Sequence, residues 1–292
     1  MLSKMRPLIL RSINQHLKPK AHFRFCHINQ PRHIRSIVTF PASSQSSPLA
    51  SKTSIITGAS RGIGAAIAHA FAKEGVRCIL VGRNRDLLEG VKAGLDGVKG
   101  EEGDEGGHKV LVGDVGDGAF WDDVRKLKNI DILVNAAGIT HYSPLFVTGP
   151  TLLDEVLRTN LMGTMMGCRA VGKAMLGGKG GCIINVASLL GVKGGKGSSA
   201  YAASKAGVVG LTRALAAELG EKNIRVNVIL PGYIETDMTE AMTPVARAAA
   251  LNSIPLKRFG QPSEIADAAV FLARNKYANN CVLNLDGGLS AI

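Results

Sequence analysis

Tyr201 and Lys205 stand four residues apart in the run Tyr-Ala-Ala-Ser-Lys. On a helix that spacing puts both side chains on one face. A phenol beside an ammonium can pass a proton. Tyrosine's reference pKa of about 10 is high for exchange near neutrality, and a neighbouring cation favours the phenolate. Lowering it by about 2–3 units takes about 3–4 kcal/mol of differential interaction. Ser188 precedes the tyrosine by 13 residues and closes an apolar run; its hydroxyl can donate to a substrate carbonyl oxygen and fix its direction. Asn160 lies inside a helical pattern where asparagine is a poor helix former. It is consistent with a local break holding a water that feeds protons to Lys205. Together the four can protonate a carbonyl oxygen while hydride reaches the carbon, and general acid catalysis of that kind is worth about 10²–10⁴-fold. Taken singly, Ser188 also reads as a helix cap and Asn160 as a solvated side chain.

Hydride needs a carrier, and residues 57–64, Thr-Gly-Ala-Ser-Arg-Gly-Ile-Gly, supply a place for one. Glycines let a phosphate approach backbone N–H groups, and a helix N-terminus adds partial positive charge. The expected contacts are Gly58, Ser60, Arg61, Gly62, Ile63 and Gly64. The second strand ends in Val81-Gly82-Arg83-Asn84, with no acid to accept from an adenosine ribose. Arg83 and Arg61 together favour a 2′-phosphate, held by charge-assisted hydrogen bonds. The expected cofactor is therefore NADP(H), although either arginine also reads as a solvated surface residue. Asp114 and Val115 are placed for the adenine edge. Asn135, Ala136 and Gly138 let backbone approach the ribose, and Asn135 alternatively ties strands together. Ile234 and Thr236, after the sixth strand, could hold a carboxamide. The stretch beyond them, to about Leu251, reads as a mobile lid.

These positions presuppose a particular scaffold. Apolar runs at Thr53–Thr57, Val76–Val81, Lys109–Val112, Ile130–Asn135, Cys182–Val186, Arg225–Leu230 and Cys281–Leu285 predict seven strands. Helical patterns over about 63–74, 85–93, 118–127, 151–176, 201–219 and 264–273 separate them. The alternation predicts an α/β, Rossmann-type doubly wound parallel sheet in a single domain over residues 52–292. Unbroken apolar runs suit a sheet covered on both faces. Residues 94–108, rich in Gly and acids, read as a solvated loop with no assigned role.

Residues 1–51 stand apart. Positions 1–50 carry eight Lys/Arg and no acid, out of a net charge of +12 for 292 residues. The high charge is therefore mostly a property of this leader and is weak evidence for nucleic-acid binding. Leu2, Met5, Ile9, Ile13 and Leu17 put one apolar face on a basic helix, which fits a mitochondrial targeting segment addressed to the matrix. An unaddressed, disordered basic extension is the other reading. No stretch reaches the roughly 18 apolar residues of a membrane span. Five scattered cysteines without a C-x-x-C pair, and four of seven histidines in the leader, predict neither disulfides nor a metal centre.

Over residues 52–292 the chain resembles the short-chain dehydrogenase/reductase family, whose Asn-Ser-Tyr-Lys set matches Asn160, Ser188, Tyr201 and Lys205. Within it, Tyr201–Gly210, Ile254–Pro262 and Leu285–Leu289 are most similar to 3-oxoacyl-acyl-carrier-protein reductases of fatty-acid synthesis. The resemblance implies NADPH-dependent reduction of 3-oxoacyl thioesters carried by an acidic acyl-carrier protein. Lys179 and Lys222 match basic residues that such reductases use and are expected beside the site mouth; both also read as ordinary solvated lysines. It further implies a homo- or hetero-tetramer, for which the small residues of helix 201–219 (Ala202, Ala203, Ala206, Gly207, Gly210, Ala214, Ala217) allow close packing. Tyr277-Ala-Asn-Asn and the loop Ile139–Pro150 depart from the usual pattern. They keep open a broader carbonyl or quinone reductase; a non-catalytic subunit of a reductase complex is a further alternative, against which the complete catalytic set argues.

Overall fold

A computed structural model describes residues 47–96 and 107–291. The predicted leader up to residue 46, Cys26 within it, and positions 97–106 of the acidic loop lie outside the described residues. The fold begins earlier than the expected boundary at 52: Leu49 is buried in the core, and Ser51 N–H donates to Gly75 O at 3.1 Å. The ends of the acidic loop are anchored rather than solvated. Leu95 packs on the core, and His108 Nδ1 accepts from Cys78 N–H at 3.0 Å.

Seven parallel strands form one sheet: β1 (Thr53–Thr57), β2 (Arg77–Gly82), β3 (Lys109–Val112), β4 (Ile132–Asn135), β5 (Gly181–Val186), β6 (Ile224–Pro231) and β7 (Val282–Leu285). Their spatial order is β3-β2-β1-β4-β5-β6-β7, so the chain reverses direction across the sheet between β1 and β4. The crevice at that reversal, beyond the carboxyl ends of the strands, is where this architecture places ligands.

The helices are α1 (Gly62–Lys73), α2 (Arg85–Ala93), α3 (Gly118–Val124), α4 (Pro150–Leu157), α5 (Gly163–Leu176), α6 (Leu190–Lys193), α7 (Ser199–Leu219), α8 (Asp237–Glu240), α9 (Pro244–Ser253) and α10 (Pro262–Arg274). Alternate strand residues serve opposite faces. Ile56, Val134 and Ile184 pack with Ile67 and Phe71 of α1 and Leu272 of α10. Ile55, Leu133 and Ile183 pack with Trp121 of α3 and Val171 of α5. The expected double coverage holds for the inner strands only. The edge strands are only partly covered: β3 exposes Lys109 and Val112 at its two ends, and β7 exposes Val282 and Asn284 on one face.

The predicted helix 151–176 is interrupted. A π-turn at Arg158–Met162 separates α4 from α5 and contains Asn160. On α7, Ala203, Ala206, Gly210, Ala214 and Ala217 are exposed, whereas Gly207 faces inward, its absent Cβ position 2.8 Å from Leu161.

Candidate active site

A cavity of about 580 Å³ runs along the carboxyl ends of the strands. Its first wall is the turn from β1 into α1. Thr57, the last residue of β1, is buried, and its Oγ1 accepts from Ala136 and Ala137 N–H, both at 3.1 Å. That clamp holds the exit of β4 against the exit of β1. Gly58 has φ +68°, and a Cβ there would stand 2.7 Å from Ala137 Cα. A Cβ on Gly64 would stand 2.2 Å from Gly58 O. A side chain at either position would collide with neighbouring backbone, so the two glycines let the turn pack this closely against the exit of β4 and the start of α1. Helix α1 then starts with Arg61 as an extended N-cap that makes no side-chain capping bond, so its first N–H groups face the cavity with their partial positive charge.

Arg83 follows β2 and is exposed on the same wall, without an ion pair among the described residues. Asp114 Oδ1 accepts from Gly116 N–H at 2.8 Å, which shapes the turn after β3. Val115 is buried beside it, its carbonyl accepting from Trp121 Nε1 at 2.7 Å.

The opposite end holds the proton-transfer candidates. Ser188, two residues past β5, is buried and accepts from Leu190 N–H at 3.2 Å. Tyr201 and Lys205 lie one turn apart on α7 and both line the cavity. Lys205 Nζ donates to Val186 O at 3.0 Å and stands 5.8 Å from the Tyr201 ring centre. Burial pushes the Lys205 ammonium down to about 8. Burial also pushes the Tyr201 phenol up, and a hydrogen bond with Ser188 offsets this only in part. The expectation that Lys205 lowers the tyrosine is therefore corrected for the protein alone: withdrawing the phenolate from water outweighs its stabilisation.

Asn160 is fully buried and does not line the cavity. Its Oδ1 accepts from Ile139 N–H at 2.8 Å, and its Nδ2 donates to Ile139 O and to Ser204 Oγ, each at 3.0 Å. Ser204 in turn donates to Tyr201 O at 2.7 Å. The predicted break exists, but the side chain braces the loop after β4 against α7, with its hydrogen-bonding groups taken by protein partners. A Cβ on Gly138 would lie 3.3 Å from both Asn160 Oδ1 and Lys205 Nζ. A side chain there would crowd the place where these two converge.

Asn135 also lies off the cavity. Its Nδ2 donates to Asn185 Oδ1 at 2.9 Å, tying β4 to β5 inside the sheet. The other predicted contacts, Gly58, Ser60, Arg61, Gly62, Ile63, Gly64, Arg83, Asp114, Val115, Ala136, Gly138, Ile234 and Thr236, all line the one cavity with Ser188, Tyr201 and Lys205. Lys179 and Lys222 do not sit beside its mouth. Lys179 precedes β5 and Lys222 precedes β6, so both stand at the amino ends of strands whose carboxyl ends carry the site. Asn223 Nδ2 donates to Lys179 O at 3.1 Å and joins these two segments there.

Sequence reasoning missed Thr57, Ser204 and Asp237. Ser204 lies within the Tyr-Ala-Ala-Ser-Lys run, where its three-residue offset from Tyr201 predicts a neighbouring position. Asp237 directly follows Thr236, and the sign of its charge was the available signal. The thiols of Cys78, Cys168 and Cys182 are pushed up to about 12, 12 and 11 by burial, which suits unreactive core residues.

Residues 58–290 match the family profile described as "Enoyl-(Acyl carrier protein) reductase". The chain is 41% identical over 244 residues to the 3-oxoacyl-[acyl-carrier-protein] reductase of Bos taurus, covering 82% of this chain and 98% of that one. It is 39% identical over 247 residues to Carbonyl reductase family member 4 of Danio rerio, covering 83% and 99%. Among solved structures, an Agrobacterium tumefaciens protein provisionally assigned as a 2-deoxy-D-gluconate 3-dehydrogenase, with bound NADP, superposes with a TM-score of 0.76 at 36% identity, covering 86% of this chain and all of that one.

Proposed function

The chain belongs to the short-chain dehydrogenase/reductase family, and we propose that it reduces 3-oxoacyl thioesters on an acyl-carrier protein to 3-hydroxyacyl thioesters, with NADPH as reductant. The observation that carries this reading is one cavity with the glycine turn Gly58–Gly64 at one end and Ser188, Tyr201 and Lys205 at the other. The turn fits a dinucleotide because Gly58, Gly62 and Gly64 line the cavity at the start of α1, where no side chain caps the helix's first N–H groups. The NADP carried by the superposed relative supports the same fit.

A bound nicotinamide supplies the hydride. Gly58 to Gly64 and the start of α1 hold the pyrophosphate, Arg61 and Arg83 the 2′-phosphate, Asp114 and Val115 the adenine, and Ile234 and Thr236 the carboxamide. Ser188 donates to the substrate carbonyl and fixes its direction. Tyr201, a phenol that is protonated at neutral pH in any case and that burial pushes further up, gives its proton to the developing alkoxide. Lys205, with its pKa brought down to about 8, exchanges protons close to neutrality and restores the tyrosine. Asn160, through Ile139 and Ser204, positions both sides of this machinery.

The carrier-protein substrate rests on the name of the bovine relative. A carbonyl or quinone substrate is the second reading, favoured by the relative named for carbonyl reduction and by the apolar loop Tyr142–Val147, where Phe146 is 98% exposed. The acid-free leader supports delivery to the mitochondrial matrix, and the exposed small-residue face of α7 supports a tetramer. Steady-state rates with acetoacetyl-acyl-carrier protein and a free quinone, each with NADPH and NADH, test the proposal. A higher kcat/KM for the carrier substrate with NADPH supports it; turnover of the quinone alone refutes it.

A further inference from the structure

Arg61 is already engaged across the cofactor end of the cavity. Its Nη1 lies 2.9 Å from Asp237 Oδ2, and the two side chains are 66% and 58% exposed. Arg61 is the N-cap of α1, Asp237 is the first residue of α8, and both line the cavity. A second contact joins the same two segments: Gly62 has φ +55°, and a Cβ there would stand 3.3 Å from Thr236 Cγ2. Thr236 in turn caps α8, its N–H donating to Thr239 Oγ1 at 3.0 Å. The glycine turn and the start of α8 are therefore joined by this ion pair, with Gly62 leaving room for the Thr236 methyl.

We propose that Asp237 is a cofactor-selectivity residue that restrains the preference for NADPH by competing with the 2′-phosphate for the Arg61 guanidinium. The inference rests on the NADPH reading above. A ribose 2′-phosphate carries nearly two negative charges at neutral pH, and its recognition by an arginine uses paired N–H groups in a fixed fork. Asp237 occupies part of that fork. To be held by Arg61, the phosphate displaces the carboxylate or shares the guanidinium with it, and in either case it stays in the carboxylate's field. NADH carries no 2′-phosphate and leaves the Arg61–Asp237 pair intact. Arg83 has no such competitor among the described residues, so the two arginines contribute unequally.

The test is the Kd for NADPH and for NADH, read from nicotinamide fluorescence, in wild type, Asp237→Asn, Asp237→Glu, Arg61→Ala and the Arg61→Ala/Asp237→Asn double variant. An exposed ion pair predicts that Asp237→Asn tightens NADPH about two- to fivefold and leaves NADH unchanged. Asp237→Glu should keep the wild-type ratio, and Asp237→Asn should have no selective effect once Arg61 is gone. Equal tightening of both cofactors, weaker NADPH binding in Asp237→Asn, or the same selective gain without Arg61 would each overturn the inference. A wild type that binds both cofactors equally defeats the NADPH reading and this inference together. A wild type that prefers NADPH, with a preference that Asp237→Asn leaves unchanged, defeats this inference alone.

Discussion

The Lys205 ammonium stands 5.8 Å from the centre of the Tyr201 ring, inside a site where burial acts on both groups in opposite directions. The lysine is pushed toward its neutral form and the tyrosine is held in its neutral form. Only the lysine is moved into the range that a cycle near neutrality can use, as an amine able to exchange; the tyrosine is a neutral phenol there with or without its burial.

That burial has a measurable cost in stability. Lys205 falls from its ordinary 10.5 to about 8 on folding, so between those values the unfolded chain binds more protons and stability rises with pH. The penalty is full below pH 8 and gone above pH 10.5, and amounts to about 3 kcal/mol. Replacing Lys205 with Met removes it. Denaturant unfolding of wild type and Lys205→Met at pH 7 and pH 10.5 should show the wild type gaining about 3 kcal/mol on the variant across that interval. A pH-independent difference would show that the amine is not desolvated.

At the glycine turn, Gly58→Ala should abolish dinucleotide binding. The new methyl would sit 2.7 Å from Ala137 Cα at φ +68°, and the strained backbone alone costs about 1–3 kcal/mol. Fluorescence titration with NADPH and a thermal melt would check this; unchanged affinity would mean that the turn does not cradle the phosphates.

Arg83→Ala should weaken NADPH about tenfold or more and NADH little, since a hydrogen bond to a charged group contributes about 1.5–3 kcal/mol. Parallel Kd values decide the point. Equal losses for the two cofactors would remove Arg83 from 2′-phosphate recognition.

The inner strands were legible because continuous β-branched runs have few other uses, and the glycine turn because its place between strand and helix limits what it can do. The four residues of α6 and of α8 are too short for a periodic pattern. Asn160 was visible as a misfit in a helix, but its partners Ile139 and Ser204 come from other segments and depend on tertiary folding. Asn135 carried two readings, and its bond to Asn185 selects the strand tie. Lys179 and Lys222 were misplaced relative to the cavity because their placement came from the resemblance; their positions just before β5 and β6 already put them at the amino ends of those strands, away from the site. Arg61 was legible as a cation; its engagement with Asp237, 176 residues away, was not.

The central claim, that Tyr201 delivers the proton in an NADPH-dependent 3-oxoacyl reduction, is tested most directly by the rate of NADPH consumption with acetoacetyl-acyl-carrier protein in Tyr201→Phe against wild type. The substitution removes one hydroxyl at the end of the cavity away from the glycine turn. The account predicts a fall in kcat of about 10²-fold or more with the Kd for NADPH within about twofold, a difference of about 0.4 kcal/mol. A Tyr201→Phe enzyme that keeps a kcat near that of wild type would contradict it.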